Sequence, residues 1–203
     1  MTMNPNKLFF RLSCLLVLGL SLSSCGWIDE LNDTEKAETP PVTNAPPPIL
    51  LEPGTWTDSP ELTGEPKIVV NTKEQKAYFY KGANLIGTSP VSSGMPGRST
   101  PKGTYKVQEK DFVRYSGAFG VARDKETHEI VMDDFNTKKD TMPKNCYYEP
   151  ARMAYCLRFY NGYCFHQGYV TGEPISHGCV RITEEMAPRF YKEAKVGMTF
   201  IVK

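Results

Sequence analysis

From residue 66 to the C-terminus the chain is cut into short runs rich in β-branched and aromatic residues, and the cuts are turn formers. The runs lie at 68–70, 77–80, 85–91, 104–107, 128–132, 153–160, 163–165 and 199–202. Lys81-Gly82, Ser93-Gly94, Pro96-Gly97, Lys102-Gly103 and Asn161-Gly162 fall between them, and Gly and Asn tolerate the positive φ that tight reversals need. This punctuation predicts a mainly β domain. Asn161-Gly162, flanked by Tyr160 and Tyr163, is the strongest hairpin signal, a two-residue turn. One helix is expected, with Thr183 as its N-cap, Glu184 and Glu185 in its first turn, and Pro188 limiting its regularity on the way to Lys195. There is no internal repeat and no Gly-rich phosphate loop.

Upstream of residue 66 the composition changes. Eight of the 16 prolines fall between Pro40 and Pro66 among acids and small polar residues, too few of them apolar to bury a core. The formal net charge of +1 hides the same partition: +2 over residues 1–25, −8 over 26–65 and +7 over 66–203. Taken whole, that balance argues against a nucleic-acid partner. Lys7 and Arg11 precede an apolar run at 12–20, shorter than the about 20 residues needed to span a ~30 Å bilayer core, so residues 1–24 read as a secretory signal peptide. Its end, Leu22-Ser23-Ser24-Cys25, resembles the lipobox of bacterial lipoproteins. That resemblance implies lipidation of Cys25, a mature chain beginning there, and a membrane anchor. Gly26, rather than Asp, leans toward the outer membrane in enterobacterial-type sorting. Residues 25–65 then form a disordered acidic tether that lifts the domain at 66–203 off the membrane.

The chemistry-bearing residues lie close together. Phe165-His166-Gln167-Gly168 is followed, 13 residues after His166, by Cys179 within Ser176-His177-Gly178-Cys179-Val180-Arg181. A thiol attacks acyl groups as its thiolate, so a nearby imidazole must hold or take its proton, and a Gly lets backbone approach a substrate closely. This hexapeptide with its upstream His resembles the signature of the L,D-transpeptidase catalytic domain (YkuD-type) family. Lys67-Ile68-Val69-Val70-Asn71 with Gln75-Lys76-Ala77-Tyr78-Phe79-Tyr80 resembles that family's opening hairpin. Thr100-Pro101-Lys102-Gly103-Thr104-Tyr105 and Met153-Ala154-Tyr155-Cys156-Leu157-Arg158 resemble two further elements, so the likeness runs through nearly all of 66–203. Gln167 and Ala154 depart from frequent family residues, and Cys156 and Cys164 are additional.

The resemblance implies a β-sandwich-like catalytic fold with one or two short helices, acting on peptidoglycan stem peptides. Cys179 would attack the carbonyl before the terminal D-Ala of a stem tetrapeptide, giving a thioester that an amine resolves, with His166 as general acid and base. His177, Gly178 and Ser176 would support the loop and its oxyanion donors, Arg181 would meet a substrate carbonyl or carboxylate, and Tyr155 would line the donor groove. No cofactor is implied, and a monomer is expected. Two other outcomes stay open: an L,D-carboxypeptidase that only trims stems, and a non-catalytic peptidoglycan-binding lipoprotein. A zinc site from Cys164, His166, His177 and Cys179 is a rival reading, against which the one-residue ligand spacing speaks. Of the cysteines left for disulfides, Cys146, Cys156 and Cys164, a plain hairpin register turns Cys156 away from Cys164 and leaves Cys146 with one of the other two. In the same register Cys164 shares a face with His166 and is an alternative redox partner for Cys179. Residues 108–150, with Lys110, Arg114, Arg123, Lys125, Lys138, Lys139 and Lys144, read either as a solvated meander or as a lid whose cations meet substrate carboxylates.

Overall fold

Alternating burial builds the domain. In the computed structural model, which describes residues 51–57 and 59–203, strands β2 (Pro66–Asn71) and β3 (Lys76–Lys81) bury every second residue, Ile68 and Val70 against Ala77 and Phe79, the period-two pattern of a sheet with one face in a core. The expectations for the signal peptide at 1–24, for Cys25 and Gly26, and for the tether up to residue 50 lie outside the described residues. The remaining elements are β1 (Thr55–Trp56), β4 (Asn84–Ser92), β5 (Gly103–Lys106), β6 (Glu109–Asp124), β7 (Ile130–Asn136), β8 (Cys146–Tyr160), β9 (Tyr163–Gln167), β10 (Val180–Ile182), α1 (Ala187–Glu193) and β11 (Thr199–Val202).

These strands form one continuous sheet in the order β5-β11-β2-β3-β4-β10-β9-β8-β6-β7, with β1 added against β4. The sheet curls so that its two halves face each other. Ile68, Val70, Phe79 and Phe200 from one half share a core with Leu157, Phe159, Phe165, Val180 and Ile182 from the other. Phe159 and Phe200 stack at 4.4 Å, and Phe190 of α1 closes the end against Phe79 at 5.6 Å. This is the expected mainly β, sandwich-like arrangement, with one helix.

That helix begins later than the sequence suggested. Thr183 is not its N-cap; the cap position is Met186, without a side-chain cap, and Pro188 sits in the first turn. The Thr183 hydroxyl instead pairs with that of Ser89 at 3.3 Å, while residues 184–186 make only a turn.

The packed region also starts before residue 66. Thr55 and Trp56 pair with Thr88 and Gly87, and the Trp56 ring lies 5.4 Å from Phe79 and 5.5 Å from Phe190. A Cβ on Gly87 would stand 2.2 Å from Trp56 Cε3, so only glycine lets the indole lie over β4. One large aromatic is enough to fasten this otherwise polar, proline-containing segment.

The turn at Asn161-Gly162 does join β8 to β9, with Tyr160 opposite Tyr163. Beyond it the register slips: Arg158 faces Cys164 and Leu157 faces Phe165, so Phe159 is an extra residue on β8. A plain hairpin would have set core-bound Phe165 opposite charged Arg158. The bulge puts Leu157, Phe159 and Phe165 on the core side together. It also turns Cys156 onto the face of Cys164, contrary to the sequence expectation.

Candidate functional site

The face of β8, β9 and β10 opposite the core carries the site. Since β9 and β10 run parallel with Phe165 beside Val180 and His166 beside Arg181, alternation places Cys164, His166, Cys179 and Arg181 together on the other side. The Cys164 backbone N–H donates to Cys179 Sγ at 3.4 Å. His166 is buried at 8% exposure, and its Nδ1 is 2.7 Å from the Gln167 carbonyl. A carbonyl only accepts, so Nδ1 bears the proton and Nε2 carries the lone pair available to the Cys179 thiol, with which His166 interacts.

The Cys179 thiol is pushed up to about 12, first by the hydrogen bond it gives to Cys164 and then by burial; His166 and the Cys164 amide act in the opposite direction. The resting nucleophile is therefore a neutral thiol rather than a thiolate. Cys164 is held up to about 12 as well, first by its bond to Cys156.

The loop before β10 is braced from below. Gly178 has φ 123°, a region L side chains rarely adopt, and a Cβ there would meet Tyr163 Cε1 at 2.7 Å. The Ser176 hydroxyl, 1% exposed, accepts the Gly178 N–H at 3.0 Å and donates to the Cys179 carbonyl. Thr100 adds a second brace, donating from Oγ1 to the Gly178 carbonyl at 2.8 Å and accepting the Gly94 N–H at 2.9 Å. Thr100 carries no function in the sequence reading beyond its place in a family-like element.

His177 faces away from this cluster. Its Nε2 is 3.1 Å from Asp134 Oδ1, and its ring lies 4.2 Å from that of Phe119, over which Arg98 sits at 5.5 Å. Desolvation lowers its pKa, opposed by Asp134, so the ring is neutral near pH 7. Phe119 reaches it because β6 bulges widely between Tyr115 and Gly120. The Ser116 hydroxyl accepts the N–H groups of Ala118 and Phe119, and the Tyr148 hydroxyl caps the Ser116 and Phe119 carbonyls. Neither Phe119 nor Asp134 had a local sequence signal. They come from 58 and 43 residues upstream of His177, by way of strand pairing.

A cleft of about 540 Å³ opens beside His177 and Arg181. Its walls include Tyr115, Phe119, Arg152 and the acids Asp133, Asp134 and Glu149. Among the described residues Arg181 makes no ion pair, and its stem lies along Gly168. The 108–150 segment thus folds as paired strands that wall a cleft. Lys138 and Lys139 are exposed in the turn after β7 and do not line it, so the expected contact between those cations and substrate has no support in the geometry.

Tyr155 is not part of this assembly. It sits at φ 53° in an aromatic group with Phe112 at 5.1 Å and Tyr191 at 5.6 Å, packed against the core. Cys146 is also remote, buried with Ala122 and Phe135 in a second small core ten residues up β8 from Cys156, about 30 Å at strand rise. It cannot pair with Cys156 or Cys164. Among the described residues no three His, Cys, Asp or Glu side chains converge as a metal would require; of the proposed zinc set, His177 is turned toward Asp134.

The comparisons agree with this architecture. The chain resembles an L,D-transpeptidase from Mycobacterium smegmatis at 19% identity and TM-score 0.53, over 69% of this chain and 59% of that one. The LdtMt1 L,D-transpeptidase, solved in complex with imipenem, matches at 18% identity and TM-score 0.52, over 68% and 58%. The L,D-transpeptidase of Xylanimonas cellulosilytica DSM 15894 matches at 15% and 0.50, over 73% and 65%. The chain thus spans less than two thirds of the length of these structures. A search of curated protein sequences found no match. The family model for the L,D-transpeptidase catalytic domain (YkuD) matches residues 65–202, and with the fold it models present from end to end, the chain belongs to that family.

Proposed function

We propose that the protein is a peptidoglycan L,D-transpeptidase with Cys179 as nucleophile and His166 as general base. The observation carrying this reading is the His166 tautomer: with Nδ1–H committed to the Gln167 carbonyl, Nε2 is left to take the Cys179 proton. As Sγ adds to the carbonyl before the terminal D-Ala of a stem tetrapeptide, the thiol proton passes to Nε2. Collapse expels D-Ala, whose nitrogen receives that proton, and a thioester remains on Cys179. An amine acceptor, deprotonated by His166, then resolves it. Positioned proton transfer of this kind contributes ~10² to 10⁴-fold.

The oxyanion requires N–H donors, and the Gly178 N–H is already held by Ser176. The N–H groups of His177 and Cys179 are therefore the donors, each worth ~10² to 10³ in comparable sites. Arg181, on the cleft wall and without an ion pair among the described residues, offers its fork to a stem carboxylate or carbonyl. The reading extends to the N-terminus: residues 1–24 are removed, Cys25 is lipidated, and the tether holds the domain in the cell envelope, at the outer membrane. Two or three acyl chains, at about 0.8 kcal/mol per buried CH₂, hold a protein stably on a bilayer.

Incubation with tetrapeptide muropeptides tests the reaction. Cross-linked dimers are expected; tripeptides alone would make the protein a carboxypeptidase, and binding without conversion would make it a binding module. Membrane fractionation of Cys25→Ala tests the anchor, and an unchanged membrane share would refute it.

A further inference from the structure

The proposed mechanism uses one thiol, yet three lie in one cluster. Cys156, Cys164 and Met153 form a buried sulfur group against which Cys179 packs, and all three cysteines are free. Cys164 and Cys156 are fully buried at 0% exposure, while Cys179 is reachable from solvent. Two buried thiols behind a partly buried, reactive one are not needed for packing: a small apolar residue would fill each position without chemistry.

The sheet register sets Cys164 beside Cys179. One step before the Phe165 and Val180 pair of the parallel β9 and β10, residues 164 and 179 stand opposite each other, and the Cys164 N–H contact to Cys179 Sγ at 3.4 Å fixes that proximity. Neighbouring strands are about 4.8 Å apart, inside the ~4.4–6.8 Å Cα window of disulfides. Cys156 belongs to β8, on the far side of β9, and reaches this face only because of the Phe159 bulge; it neighbours Cys164, with β9 between it and Cys179.

We propose that Cys164 is a resolving thiol for Cys179, making the pair a reversible oxidation site for hydroperoxides. This rests on the reading of Cys179 as the reactive thiol. With His166 taking its proton, the Cys179 sulfur attacks the distal oxygen of a hydroperoxide; the O–O bond breaks, the departing alkoxide or hydroxide takes that proton, and Cys179 becomes a sulfenic acid. Cys164 sulfur then attacks that sulfur, the S–O bond breaks, and the hydroxyl leaves as water with the Cys164 proton. Two electrons pass from two thiols to one peroxide, and a dithiol reductant returns them. The disulfide blocks acyl transfer but protects Cys179 from the sulfinic and sulfonic states, which simple thiols do not reverse.

The full-length protein is treated with hydrogen peroxide, alkylated, and mapped by mass spectrometry without reduction, while carbapenem acylation of Cys179 is read before treatment, after it, and after dithiothreitol. A linked Cys164–Cys179 peptide is expected, with most of the lost acylation returning on reduction. Cys164→Ala and Cys164→Ser, each scored against its own untreated acylation, should recover less than about a tenth, because sulfinic and sulfonic Cys179 accumulate. Cys156→Ala should keep both the linked peptide and the recovery. Wild-type protein that over-oxidises without the linked peptide, a peptide linking Cys156 to Cys164 instead, or Cys164 variants that recover as fully as wild type would each overturn the proposal. The linked peptide is read by mass alone, so a protein that forms it without turning over muropeptides would refute the transpeptidase reading and not the thiol pair.

Discussion

His166→Ala should slow acylation of Cys179 by about two to four orders of magnitude at pH 7 and make the residual rate climb steeply with pH. The site holds the Cys179 thiol at about 12, so at pH 7 only about 10⁻⁵ of it ionises unaided, against about 3% for an ordinary thiol near 8.5. The more basic thiolate is intrinsically more nucleophilic, which at a Brønsted slope of ~0.4–0.5 restores about 30- to 50-fold. A thiolate-only route is thus still about 10² slower than for a free cysteine, and base assistance from Nε2 must make up that deficit and more. Because His166 itself lowers the thiol pKa, its removal pushes ionisation further from neutral. The assay is carbapenem acylation followed by intact-protein mass, each rate measured from about pH 6.5 to 10. The variant should gain about tenfold per pH unit, as the thiolate pool does, while wild type changes far less. A variant whose rate is flat across that range, or within a few-fold of wild type at pH 7, would refute the account of a neutral resting thiol.

Three further outcomes follow from the packing. Ser176→Ala leaves the buried Gly178 N–H and Cys179 carbonyl without their partner; at ~1–3 kcal/mol for such losses, the melting temperature should fall by ~2–10 °C and acylation by about 10- to 100-fold, and an unchanged rate would mean the loop holds itself. Trp56→Ala removes the aromatic that ties β1 to Phe79 and Phe190, costing about 2–3 kcal/mol and lowering the melting temperature by ~5–10 °C; a shift within ~1 °C would make that segment an idle appendage. Arg158 and Arg114 hold the Glu109 carboxyl down to about 2, from an ordinary 4.5, so the stability it contributes is fully present above the ordinary value and drains away as pH falls toward the folded one. Urea midpoints of wild type and Glu109→Gln should therefore differ at about pH 6 and converge near pH 2, whereas a pH-independent gap would show that the charge is not the cause.

Much of the fold was legible because alternation and turn chemistry are local. Each short run that the sequence marked overlaps a strand, although His128 and Glu129 precede β7 and Val107 follows β5, and the turn at Asn161-Gly162 formed where expected. Less was legible where structure depends on a partner strand. β6 and the first half of β8 mix polar and apolar residues, since they wall a cleft and cover only a small core around Ala122, Phe135 and Cys146, and their composition reads as a meander. Cys179, His166 and Arg181 shared a motif region, so their meeting was foreseeable; Thr100 reaches the same loop from the connection between β4 and β5, and Asp134 from β7.

By itself the sequence determined that residues 66–203 would be a mainly β domain, and that a thiol, an imidazole and a guanidinium would stand within one family signature. Tertiary structure decided which of them touch. The deciding detail is a single extra residue at Phe159: the two-residue turn and the apolar pattern of Leu157, Phe159 and Phe165 demand registers one residue apart, and a bulge satisfies both. Since strand side chains alternate, that one residue moved Cys156 across the sheet to join Cys164 and Cys179. Alternation reports which residues share a face within a strand, and only the paired strands report which faces meet.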